Sequence, residues 1–182
     1  STIEFFPEEG KYHYDGHRAC NVSWHPDQTK RHRGVCSGCG KPVTVGVMSR
    51  VAALADRPQP KLEKVAAGAM EAHAWNGRVP YVSLVPLDEI IGEAFGVGHQ
   101  AKSVRAEFDR LIQAFGSEIA ILMDRPLAEV GRVAKPEVTA ALERVRSGKL
   151  AIEPGYDGEY GKVKIFNGDD ERKEVDPQTR LF

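Results

Sequence analysis

The chain has 182 residues, 41% hydrophobic and 28% charged, a globular composition sufficient for one domain or two small ones. Its formal net charge is −1, so gross electrostatics do not demand a polyanionic partner, and no apolar run or signal-peptide pattern indicates a membrane. Three cysteines are too few for a disulfide framework and suggest a reducing compartment, with cytoplasm as the expected location.

The opening Ser1-Thr2-Ile3-Glu4-Phe5-Phe6-Pro7 has neither an initiator methionine nor a helix-start pattern. It reads as an extended lead-in within a longer protein, with Ile3, Phe5 and Phe6 needing a partner surface. Glu8-Glu9 before Gly10 reads as a solvated turn.

From Gly10 to Val47 the chain carries all its cysteines. Cys36-Ser37-Gly38-Cys39-Gly40 is a knuckle whose two thiolates can face one ion while the glycines turn the backbone round it. Cys20 is a third ligand, and His17-x-x-Cys20 supplies a second short-spaced pair. The pattern predicts a structural zinc ribbon held by His17, Cys20, Cys36 and Cys39, with His13, His25 and His32 as alternative fourth ligands. Lys30, Arg31 and Arg33 cluster on the loop between the knuckles, where they would meet phosphate. Trp24 in the same loop suits either base stacking or packing over the ribbon.

Val47, Val51 and Leu54 recur at helical spacing, predicting a short helix over 47–56 that Arg57-Pro58-Gln59-Pro60 stops. Residues 61–76 are Ala-rich and read as helical, with Trp75 before an Asn76-Gly77 turn. Pro86 opens another helix with Ile90, Ile91 and Ala94 on its apolar side. Phe95-Gly96-Val97-Gly98-His99 breaks it, and a further helix runs from about 100 to 114 on Val104, Phe108, Leu111 and Ile112.

Helix, Gly-Val-Gly, helix resembles the helix-hairpin-helix module, in which backbone N–H groups at the second helix bind a DNA phosphate. Gly96, Val97, Gly98, Lys102 and Arg105 are the contacts this implies. A plain helical hairpin is the alternative. A poorer second copy is expected from 118 to 147, with Pro136 at a helix start and Val138, Ala141, Leu142 and Val145 as its stripe.

Two short strands follow, over 150–153 and 162–166, joined by Pro154-Gly155-Tyr156-Asp157-Gly158-Glu159-Tyr160-Gly161. That glycine-rich turn is either a structural hairpin loop or a nucleotide-wrapping loop with Tyr156 and Tyr160 as base or sugar contacts. Residues 168–180 are polar and expected to be mobile.

Catalytic signatures are missing. No phosphate-binding Gly-x-x-x-x-Gly-Lys-Ser/Thr loop, no His-x-His metal cluster and no Gly-x-Ser-x-Gly frame occurs. The expected fold class is α+β. A zinc ribbon with its lead-in spans 1–47, a mainly helical, helix-hairpin-helix-like DNA-binding domain spans 48–149, and a β-hairpin with polar tail spans 150–182. No catalytic residue is assigned, which leaves open whether the chain is an enzyme.

Gly10-Lys11-Tyr12-His13-Tyr14-Asp15-Gly16-His17-Arg18-Ala19-Cys20, Cys36-x-x-Cys39-Gly40-Lys41-Pro42, Ser83-Leu84-Val85-Pro86-Leu87-x-Glu89-Ile90-Ile91 and Pro154-Gly155-Tyr156-Asp157-Gly158-x-Tyr160-Gly161 resemble, in this order, the C-terminal part of endonuclease Q. The resemblance implies a DNA-repair role. That family nicks DNA on the 5′ side of deaminated bases and at abasic sites, using metals of an N-terminal PHP phosphoesterase domain. It implies as partners a lesion-bearing DNA duplex and a PHP domain in cis. Some relatives are fused to, or named for, a UvrD/Rep-type DNA helicase. A protein-interaction module docking a helicase or clamp is the rival reading, and an enzyme using zinc-bound water is a second.

Overall fold

In the computed structural model the described residues are 1–58 and 61–166; the tail expected to be mobile at 168–180 lies outside them. The architecture is mixed α and β. A four-stranded sheet has the order β1 (Thr2–Glu4), β6 (Tyr81–Ser83), β5 (Met70–Ala74), β4 (Glu63–Ala67). The lead-in finds a partner for its backbone and for Phe6, whereas the Ile3 and Phe5 side chains, expected to need a partner surface too, stay exposed. Thr2, Ile3 and Glu4 pair in parallel with Tyr81, Val82 and Ser83, and Phe6 packs on the main core.

The helix expected over 61–76 is instead the β4–β5 hairpin. Alanine, glutamate, lysine and methionine favour a helix locally, but Met70, Ala72 and Ala74 are buried at every second position, the period of a strand. Gly68 makes the turn at φ +63, where a Cβ would strike the Met123 carbonyl. The Ala69 N–H donates to that same carbonyl at 2.5 Å. Tertiary anchoring outweighs propensity here.

β5 leads into Trp75-Asn76-Gly77-Arg78, a turn closed by the Arg78 N–H on the Trp75 carbonyl at 2.9 Å. Asn76 and Gly77 both take left-handed backbone, φ 48 and 71, as a primed hairpin turn requires. The turn lays the Arg78 guanidinium 5.1 Å from the Trp75 ring centre, and Arg57 reaches the same ring at 4.8 Å.

Four helices build the body: α3 (Leu87–Phe95), α4 (Lys102–Phe115), α5 (Leu127–Val133) and α6 (Pro136–Arg146). Leu87, Ile90, Ile91, Leu111, Val138 and Leu142 are fully buried between them and the sheet. The stretch expected to start a helix near 118 forms a π-helical turn, Ala120–Asp124. Its widened carbonyls are met by buried Arg146, which donates to Leu122 at 3.0 Å and Ile121 at 2.5 Å. Buried Glu107 of α4 holds Arg110 and accepts from the Lys135 N–H at 3.0 Å, capping α6. The expected strands appear as β7 (Ala151–Glu153) and β8 (Lys162–Lys164), an antiparallel pair. Beyond β8, Ile165 joins the main core, where the Ile165 and Phe166 N–H groups donate to Glu93 of α3 at 2.8 and 2.9 Å.

Candidate metal centre and nucleic-acid interface

Between the first strand and the body sits a small ribbon of β2 (Asp15–His17), β3 (Val22–Trp24), α1 (Pro26–Arg31) and the knuckle. β2 and β3 pair antiparallel, so a one-turn helix over Arg18–Cys20 reverses the chain between His17 and Cys20. Asn21 ends that turn at φ 51. In the knuckle the Gly40 N–H donates to the Cys36 carbonyl at 2.9 Å and Gly40 takes φ 71. The Gly38 N–H faces the Cys36 sulfur at 3.4 Å, and a Cβ on Gly38 would stand 3.1 Å from that of Cys20.

These turns gather one donor atom each from His17, Cys20, Cys36 and Cys39 within 4.8 Å of one another. Cys39 Sγ lies 3.5 Å from His17 Nδ1. A tetrahedral zinc with Zn–S bonds of about 2.3 Å places its sulfurs about 3.7 Å apart. The donor set can therefore hold a metal ion and is compatible with zinc. His17 is the histidine in this group. His13 is buried, His25 caps α1 by accepting from the Asp27 N–H at 3.4 Å, and His32 stacks on Trp24 at 4.2 Å and 12°. Trp24 itself packs with Cys36 and Val43 in a second, smaller core.

The thiols tune one another. Hydrogen bonding to Cys39, then burial, then Cys36 push the Cys20 thiol up to about 11. Burial would raise Cys36 as well, but the N–H groups of Gly38 and Cys39 aimed at its sulfur outweigh it and bring that thiol down to about 7. One sulfur is thus ready to ligate near neutral pH while its neighbour must give up a proton.

The Pro154–Gly161 loop clasps this ribbon. The Gly155 and Gly161 N–H groups donate to Glu8 at 2.8 Å and Glu9 at 3.0 Å, the Gly158 N–H to Lys11 at 3.0 Å, and the Tyr14 N–H to Gly155 at 2.9 Å. A Cβ on Gly155 or Gly161 would collide with the facing carbonyls, so these glycines serve close backbone approach. Asp157 takes φ 45 and accepts from Thr44 Oγ1 at 2.5 Å and from the Arg18 N–H at 2.8 Å, inside the His17–Cys20 turn. Sequence reasoning passed over Asp157. Its position in a glycine-rich turn suggested loop chemistry, and only the fold shows that its partners lie in the ribbon.

The expected DNA contacts fall into three groups. Lys30, Arg31 and Arg33 are exposed at the end of α1, with no carboxylate partner among the described residues. At the α3–α4 turn, the Gly96 and Val97 N–H groups are spent on Glu93 and Gly92, while that of Gly98 has no backbone acceptor among the described residues. α4 begins at Ala101 without a side-chain cap, in contrast to α3, whose Leu87 N–H donates to Glu118 at 2.7 Å. Lys102 is exposed there, but Arg105 is paired with Asp109 at 2.9 Å. Of the two tyrosines, Tyr156 lies against Gly16, whereas Tyr160 is 68% exposed with Lys11 4.5 Å from its ring centre.

Fold and site together define a ribbon whose His17, Cys20, Cys36 and Cys39 can hold a metal ion, clasped to an α/β body that carries a helical hairpin. Among solved structures this arrangement is similar to the lesion-specific endonuclease PfuEndoQ of Pyrococcus furiosus, with a TM-score of 0.72 and 29% identity over 99% of this chain and 41% of that one. It is also similar to an endonuclease Q bound to a 27-mer duplex with an abasic lesion at the active site, at a TM-score of 0.67 and 32% identity over 91% and 38% of the two chains. This chain is thus similar in fold and sequence to a part of those two endonucleases.

The family described as the MJ0043 C-terminal domain matches residues 86–149. Two curated relatives, both described as uncharacterized, are MJ0043 of Methanocaldococcus jannaschii, 32% identical, and YqxK of Bacillus subtilis, 30% identical. Each alignment covers 87% of this chain. The chain spans only 18% of the first relative's length and 34% of the second's. Among the described residues no helix is long and apolar enough to cross a membrane.

Proposed function

We propose that this chain is the DNA-holding part of an endonuclease Q-like repair enzyme that acts on deaminated bases or abasic sites, with phosphodiester cleavage performed by a PHP-type domain outside these residues. The observation that carries this reading is the similarity across nearly the whole chain to a lesion-specific endonuclease, together with the duplex bound by the second neighbour. Zinc, held by His17, Cys20, Cys36 and Cys39, fixes the ribbon that presents Lys30, Arg31 and Arg33. Those side chains, the Gly98 N–H of the Gly96–Gly98 turn before the uncapped start of α4, and Lys102 contact phosphates without reading sequence. This gives α3 and α4 the role of a helix-hairpin-helix. Tyr160 is the tyrosine placed to meet a base or sugar; Tyr156 packs, and Arg105 adds little while Asp109 holds it.

The test is a salt-dependent titration of the zinc-loaded chain on matched duplexes containing uracil, hypoxanthine, an abasic site or no lesion. Preference for the lesions places recognition in this chain, and equal salt-sensitive binding makes it a backbone clamp. Absence of binding at low salt overturns the reading.

A second reading has one observation in its favour. α2 (Val47–Leu54) presents Val47, Val51 and Leu54 to solvent at 59%, 52% and 66% exposure. An apolar stripe of this kind suits a protein partner, in the notion of a module that docks a helicase or another repair factor. Capture of such a partner with no DNA affinity would favour it.

A further inference from the structure

The Arg57–Trp75–Arg78 cluster at the end of β5 has no part in the metal site or in the DNA contacts assigned above. Two arginines from separate segments converge on one indole. The left-handed Asn76-Gly77 turn folds Arg78 back onto Trp75, and Arg57 arrives from the chain leaving α2. Both arginines are exposed and the ring is half-buried.

Neither guanidinium has a carboxylate or hydrogen-bond acceptor among the described residues. Contact with an aromatic ring engages a guanidinium's charge and leaves its N–H fork unspent. The two guanidiniums lie within about 10 Å of each other across one ring. A ligand with closely repeated negative charge can engage both at once, and duplex DNA presents one charge per about 1.7 Å of axis.

We propose that Arg57 and Arg78, held in place by Trp75, form a second phosphate-backbone clamp for DNA, separate from the ribbon and the α3–α4 turn. The proposal rests on the DNA-binding reading above. Arginine suits the task because its fork takes phosphate oxygens in pairs, and the indole limits the side-chain freedom that binding would otherwise have to restrain. The clamp engages the backbone and carries no sequence preference.

The experiment is a salt titration of the zinc-loaded chain on a fluorescein-labelled duplex, comparing the parent with R57Q/R78Q and with W75F. Loss of two phosphate contacts lowers the slope of log K against log salt by about 1.8 in R57Q/R78Q. W75F keeps a ring beneath both guanidiniums and retains the parent slope. Parent binding with an unchanged slope in R57Q/R78Q overturns the clamp and leaves the DNA-binding reading standing, whereas no binding by the parent overturns both. Tryptophan emission on adding duplex, compared between parent and W75F, provides a second measurement. Trp24 stacks on His32 beside the ribbon's basic residues and contributes to both spectra, so a change that W75F abolishes reports Trp75, and a change that W75F retains in full overturns the clamp.

Discussion

Asp157 accepts a 2.5 Å hydrogen bond from Thr44 across 113 positions of sequence. The same carboxylate takes the Arg18 N–H, so one side chain ties the body's last loop to both halves of the ribbon. The Thr44 hydroxyl and then the Arg18 N–H hold its carboxyl below the ordinary aspartate range. A depressed folded-state value means that the stabilisation is complete above the unfolded value, about 3.9, and is lost as pH falls through the folded one. Asp157→Asn should therefore lower the melting temperature at neutral pH and remove the parent's extra loss below about pH 4. Thermal melts across that range are the check. Identical acid profiles would exclude Asp157 as the titrating tie.

The clasp also depends on bare backbone. Gly155→Ala and Gly161→Ala each place a methyl against a carbonyl, and rigid backbone on both sides leaves it no room. Each should cost roughly 2–4 kcal/mol, seen as a shifted denaturant midpoint. Gly148→Ala is the contrasting case. Gly148 has open space around its Cβ position but a φ of +65, so its cost of about 1 kcal/mol is conformational.

Metal uptake should release protons. Cys20 holds its thiol proton up to about pH 11, whereas Cys36 sheds its own near 7. Raising pH through neutrality therefore strengthens zinc binding, and calorimetry in buffers of different ionisation heat will count the protons released. Cys36→Ser should abolish stoichiometric zinc. A variant that keeps one zinc per chain would refute the ligand set.

Removing the Arg146 guanidinium should strand two carbonyls. Arg146→Ala leaves those of Ile121 and Leu122 unsatisfied in the body, at a cost of about 2–4 kcal/mol. For a chain of this size that corresponds to a fall in melting temperature of roughly 5–15 °C.

If the ribbon's basic group meets phosphate, neutralising Lys30, Arg31 and Arg33 together should weaken duplex binding and flatten its salt dependence by up to about three contacts. Unchanged affinity and slope would remove them from the interface.

Much of this was legible in local chemistry. The Cys-x-x-Cys spacing and His17-x-x-Cys20 mark four groups that the structure brings together, because metal ligation imposes short, turn-compatible spacings. Pro86 and Pro136 stand at the starts of α3 and α6, where a missing N–H costs nothing. Illegible were features that depend on distant partners. Met70-x-Ala72-x-Ala74 alternates like a strand, yet alanine's helical preference conceals it until the sheet supplies neighbours. The glycines of the clasp looked like ligand chemistry because their carbonyl partners, Glu8 and Glu9, lie far back in the chain. The π-helical turn likewise needs Arg146, which no local pattern links to it.

The clasp has a consequence for how the polypeptide comes off the ribosome. Arg18 finds Asp157 across 139 residues, so the ribbon can assemble its cysteines early but must wait for almost the whole described chain before it is locked. Contacts of such long range form slowly, and the unlocked ribbon is the species a nascent chain exposes. Ending translation after α6 would release a polypeptide with its cysteines intact and its fastening missing.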